Sequence, residues 1–81
     1  MLHELKTHSE YFNAIAAGTK TFEIRKDDQS FQKGDQLLLK DYNPFIQKYT
    51  GRILHRQVTY IIRGGNFGIK KGYCIMALEK I

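Results

Sequence analysis

Gly18-Thr19-Lys20-Thr21-Phe22-Glu23-Ile24-Arg25 is the stretch on which the fold turns. Before it, Tyr11, Phe12, Ile15 and Ala16 recur at helical spacing; after it, Phe22 and Ile24 alternate with Thr21, Glu23 and Arg25. A change of period from about 3.6 to 2 marks a helix handing over to a half-buried strand. Gly18 stands at the junction, where a left-handed residue closes a helix most easily. Upstream, Thr7-His8-Ser9-Glu10 reads as a capping box. The expected helix therefore runs from about Ser9 to Ala17, with Phe22 and Ile24 facing inward on the strand beyond it.

Working outward, Asp27-Asp28-Gln29-Ser30 is a turn, and Phe31-Gln32-Lys33-Gly34-Asp35 leads into a second strand from Gln36 to Tyr42. Asn43-Pro44 and Tyr49-Thr50-Gly51 bracket a connection. Arg52 to Ile62 is rich in β-branched and aromatic residues, and Tyr73 to Lys80 closes the chain as a strand. Gly64-Gly65-Asn66-Phe67-Gly68 lies between them as a flexible loop. The order implied is helix first, then about four strands. The economical α+β arrangement is one domain over residues 1–81, a small bent antiparallel barrel of about four to six strands plugged by one N-terminal helix. Phe12, Phe22, Phe31 and Phe67 are assigned to its core.

The chain has 81 residues, 42% hydrophobic and 26% charged, a globular balance. Its longest apolar run, Tyr73 to Leu78, falls far short of the roughly 18 residues needed to span a bilayer, so no membrane role is expected. The first residues carry no secretion pattern, and Cys74 is alone. A reduced, cytoplasmic setting without disulfides follows. His3, His8, His55 and Cys74 share no metal-binding spacing, so no metal and no cofactor is expected.

Charge is distributed unevenly. Residues 1–42 carry six Lys/Arg against seven acids, whereas residues 43–81 carry seven against Glu79 alone. Within a net charge of +5, such asymmetry projects a positive field suited to phosphates. Arg52, Arg56 and Tyr60 share one parity of their strand and form a candidate phosphate-and-base face, with Lys70 and Lys71 as an exposed rim. In the opening stretch, Lys20, Glu23 and Arg25 bring a mobile ammonium, a carboxylate and a planar guanidinium together as a candidate ligand site. On a surface strand, Lys20→Ala and Glu23→Ala should leave the fold nearly intact.

The pattern G-x-K-x-x-E-x-R resembles the signature of the ASCH family (activating signal cointegrator homology), within the PUA-like superfamily of small β-barrels. His3-Glu4-Leu5-Lys6-Thr7, Phe31 with Gly34-Asp35, Thr50-Gly51-Arg52, Val58-Thr59-Tyr60-Ile61 and Gly72-Tyr73 extend the likeness over nearly the whole chain, toward a compact bacterial and phage branch. The resemblance implies a module that binds RNA or a modified nucleotide. Its runner-up implication is a small hydrolase of a modified nucleoside or RNA, amidohydrolase or ribonuclease-like, using Lys20, Glu23 and Thr21. A further one is a coactivator-type module with a protein partner in transcription or translation. One ASCH-like branch uses a Lys and a Thr of this signature to hydrolyse an acetylated cytidine nucleoside. The Lys matches Lys20, but Glu23 stands where that Thr would be.

Overall fold

Period-two structure begins before the helix. In the computed structural model, which describes residues 1–81, Leu2–His8 is a strand, β1, whose His3, Leu5 and Thr7 are buried while their neighbours face solvent. Two of these three inward residues are polar, so a hydropathy pattern does not reveal the strand. The helix α1 (Ser9–Ala16) follows without a loop. Because Thr7 belongs to β1, its hydroxyl donates to the Leu5 carbonyl (3.4 Å), and no side chain caps the helix. The expected capping box and the helix-first order are both corrected by this strand.

Phe12 and Ile15 anchor α1 in the core, and Gly18 ends it at φ +80°, its amide donating to the Ile15 carbonyl. Four more strands follow: β2 (Phe22–Lys26), β3 (Gln36–Asn43), β4 (Lys48–Arg63) and β5 (Tyr73–Lys80). Their order in the sheet is β1-β3-β4-β5-β2. β1 runs parallel to β3 and every other pair is antiparallel, so the sheet is mixed and not antiparallel throughout. It curls into a half-barrel whose two edge strands, β1 and β2, approach each other. Arg25 bridges that seam by donating to the Lys6 carbonyl and the Thr7 hydroxyl. No helix is long and apolar enough to cross a membrane.

Leu5, Phe12, Ile15, Phe31, Leu37, Leu39, Val58, Cys74 and Met76 form the core inside the curl. Two phenylalanines assigned to it lie elsewhere. Phe22 is 42% exposed and Phe67, at the tip of the loop before β5, is 92% exposed. The inward residue of β2 is Glu23, so the parity of this strand is the reverse of that expected: Phe22 and Ile24 line up outside with Ala77 and Ile75. A bulge between Val58 and Tyr60 likewise breaks the parity of β4. Arg56 and Val58 point inward, but after the extra residue Tyr60 turns out and Ile61 packs on the core.

Two buried carboxylates, one near each end of β3, tie that strand to its neighbours. Asp41 is fully buried in β3 and accepts hydrogen bonds from Ser9 Oγ (2.6 Å), Thr50 Oγ1 (2.6 Å) and Arg52. Asp35 accepts from the buried His3 ring (2.8 Å) and the Gln32 amide (3.0 Å). Burial pushes the Asp41 carboxyl up, but the two hydroxyls and the Arg52 guanidinium outweigh it and hold it below 3.8. At Asp35 the His3 hydrogen bond leads in lowering the pKa, against burial. Both groups bind a proton less readily when folded, so their stabilisation is present above the unfolded value and is lost as pH falls through the folded one. The urea midpoint should therefore hold steady from about pH 7 to 5 and fall steeply below about pH 4. Asp41→Asn should flatten part of that acid limb; an unchanged limb would show that Asp41 is not among its causes.

Candidate functional site

The turn after Gly18 delivers Lys20 to the start of β2, and the reversed parity of β2 places Glu23 beneath it. Lys20 Nζ donates to Glu23 Oε1 (3.1 Å) and to the Phe22 carbonyl (2.7 Å). Arg25 Nε donates to Glu23 Oε2 (3.1 Å), while its Nη2 reaches across to β1. Glu23 is only 5% exposed, so a single buried carboxylate holds both cations. The three charges sum to one positive. Each Glu23 oxygen retains a further lone pair for a ligand donor.

Above this trio lies a cavity of about 400 Å³ lined by Tyr11, Lys20, Phe22, Glu23 and Ile24. The Lys20 ammonium stands 4.8 Å from the Phe22 ring centroid and 5.6 Å from that of Tyr11. A cation shared between two aromatic rings ties both to the lining of the cavity. A second, more polar depression follows the seam past Lys6, Thr7, His8, Arg25 and Lys26. A third, of about 320 Å³, lies against Ile75, Tyr73 and Lys70. Ile24 lines all three, so they adjoin one another as a grooved surface along β2.

The other residues singled out in the sequence scatter around this groove. Thr21 opens into another depression with Lys20, Arg56, Glu79 and Lys80, which Glu23 does not line. Arg52 is committed elsewhere: it binds Asp41 (2.8 Å) and Asn13 (2.7 Å) and covers the Phe12 ring, fastening α1 to β3. Arg56 is buried and donates to backbone carbonyls of His55 and Ile15. Both guanidiniums are engaged within the fold, although the Arg52 side chain stays 55% exposed. Tyr60 is exposed on the outer sheet face, where the register sets it in one row with Ala77 and Phe22. Lys70 and Lys71 are exposed beside the third cavity, and neither forms a salt bridge. Tyr11, Phe22, Ile24 and Tyr73 are groove residues that sequence reasoning missed. The sequence pattern assigns Phe22 to the core and Ile24 to the inward face, and it reads Tyr11 and Tyr73 only as parts of the helix and the closing strand. The apolar neighbours of Glu23, Phe22 and Ile24, are the signal available.

The domain family described as "Domain of unknown function (DUF3850)" matches residues 2–78 of the chain. A protein of Escherichia phage P2, named "Uncharacterized 12.9 kDa protein in GpA 3'region", is 34% identical over 58 residues. That alignment covers 72% of this chain and 51% of the phage protein, so the chain spans about half the length of this relative.

Proposed function

The chain belongs to the DUF3850 family, and from its groove we propose a module that binds single-stranded nucleic acid, RNA or a modified nucleotide, on the exposed edge of β2. In this reading the half-barrel and the G-x-K-x-x-E-x-R motif are those of an ASCH-type, PUA-like domain. The observation that carries it is the grouping of two aromatic rings, an ammonium and a buried carboxylate in one cavity. Unstacked bases need a ring to lie on and edge contacts to be told apart, and phosphates need cations. Phe22 and Tyr11 supply the first, Glu23 an acceptor for base amino groups, and Lys6, Lys26, Lys70 and Lys71 the positive border. The hydrolytic alternative has less support, because Thr21 shares a depression with Lys20 but not with Glu23.

Titration of labelled single-stranded RNA over a series of salt concentrations tests the proposal. Binding should tighten as salt falls, since phosphate contacts release counterions. Phe22→Ala should weaken it by roughly five- to 150-fold, the range for losing one stacked base, with a melting temperature within a few degrees of wild type for an exposed position. Failure to bind any RNA at low salt would reject the reading.

A further inference from the structure

The groove is longer than one nucleotide. Resting on the proposed function, we propose that its far end, the cavity lined by Ile24, Gly68, Ile69, Lys70, Tyr73 and Ile75, is a second base-and-phosphate subsite. The ligand is then a continuous single strand of several nucleotides lying along β2, and not a free nucleotide.

Register fixes the separation of the two subsites. Phe22 pairs with Ala77, Ile24 with Ile75 and Lys26 with Tyr73, so the aromatic ends of the groove are four strand positions apart. At the rise of a strand this is about 13 Å, on the order of four stacked nucleotides at roughly 3.4 Å each. No single nucleotide touches both ends. Ile24 lines both cavities and pairs with Ile75, so an apolar stretch adjoins the two.

The chemistry at the far end repeats that of the near end. Lys70 Nζ stands 5.7 Å from the Tyr73 ring centroid, as Lys20 stands over Phe22. Next to the lining, Phe67 is held almost wholly in solvent at φ +55°, a conformation uncommon for a bulky residue. No protein contact accounts for an aromatic side chain there. Charge selects the occupant: Lys26, Lys70 and Lys71 border this end without carboxylate partners. Such a border suits the phosphates of a strand already anchored at Phe22 and Lys20.

The test compares a cytidine or adenosine monophosphate with single-stranded RNA hexamers, using wild type, Lys70→Gln and Tyr73→Leu. The hexamer should bind at least about tenfold more tightly than the mononucleotide, since it adds a stacked base and phosphate contacts. Tyr73→Leu should weaken the hexamer by roughly fivefold or more and the mononucleotide by a smaller factor. Lys70→Gln, at an exposed position, should lower the salt slope of hexamer binding by about one. Equal affinities for hexamer and mononucleotide, or variants that bind the hexamer as wild type does, would overturn the second subsite while leaving the first in place. Binding of neither probe would overturn both.

Discussion

Gly64→Ala is expected to lower the melting temperature by roughly 12–24 °C, corresponding to about 3 kcal/mol in a domain of this size. Gly64 follows β4 directly, where the chain turns into the loop that carries Lys70 and Lys71. A Cβ at this position would stand 1.9 Å from the Lys70 carbonyl oxygen and 2.9 Å from that of Tyr73. Both obstacles are backbone, so no rotamer change relieves them. Moving apart would also break the hydrogen bond from the Gly64 amide to the Tyr73 carbonyl (2.7 Å) and strain that from Gly65 to Ile69 (2.8 Å). Gly65→Ala makes the contrasting control. Gly65 has open space around its Cα but a φ of +100°, so an alanine there meets only a conformational penalty, on the order of 1–2 kcal/mol. Thermal melts of the two variants separate crowding from dihedral strain. If Gly64→Ala melts within a few degrees of wild type, the close approach is not a constraint on this loop.

Particular residues show how far the sequence reaches. The helix around Phe12 and Ile15, the left-handed Gly18 and the closing strand from Tyr73 to Lys80 are legible because each depends on local period or a single backbone need. The strand from Leu2 to His8 is not, since its inward His3 and Thr7 meet Asp35 and Arg25, partners that no local window contains. Parity on β2 fails for a related reason. Alternation says which residues share a face but not which face is inside. At an edge strand beside an open seam, the buried side can be the polar one when a carboxylate finds two cations. The site trio was legible because its three charges lie within six residues. Arg52 was not, because its pull toward Asp41 depends on how β3 and β4 pair.

Charge in the groove follows from the same pairing. Arg52 and Arg63 are bound to Asp41 and Asp27, and Lys20 and Arg25 share Glu23. The formal excess of cations in residues 43–81 therefore overstates what a polyanion meets. In the proposed reading, the lysines without carboxylate partners along the groove, Lys26, Lys70 and Lys71, would carry the attraction instead.

Glu23→Ala is the substitution with the largest consequence for the site, and it should act on stability and selectivity together. The sequence pattern suggested a surface residue whose loss the fold would tolerate, but Glu23 is buried and bonded to two cations. Their side chains are only 17% and 26% exposed, so neither is fully screened by water once the carboxylate is gone. Removing one partner of such an arrangement costs about 3 kcal/mol, the low end for a buried pair. Two unpaired cations left facing one space also make an anion site. Inorganic phosphate should then raise the melting temperature of Glu23→Ala more than that of wild type, because an anion bound only to the folded state stabilises it. RNA should bind the folded variant with a steeper salt dependence, as one more cation is free for phosphate. Discrimination among homopolymers of adenine, cytosine, guanine and uracil should flatten, since the acceptor for base amino groups is lost. Glu23→Gln, which keeps shape and one acceptor oxygen, should fall between the two. A Glu23→Ala protein that keeps the wild-type ranking of homopolymers at unchanged salt slope would show that Glu23 serves only to hold Lys20 and Arg25 in place.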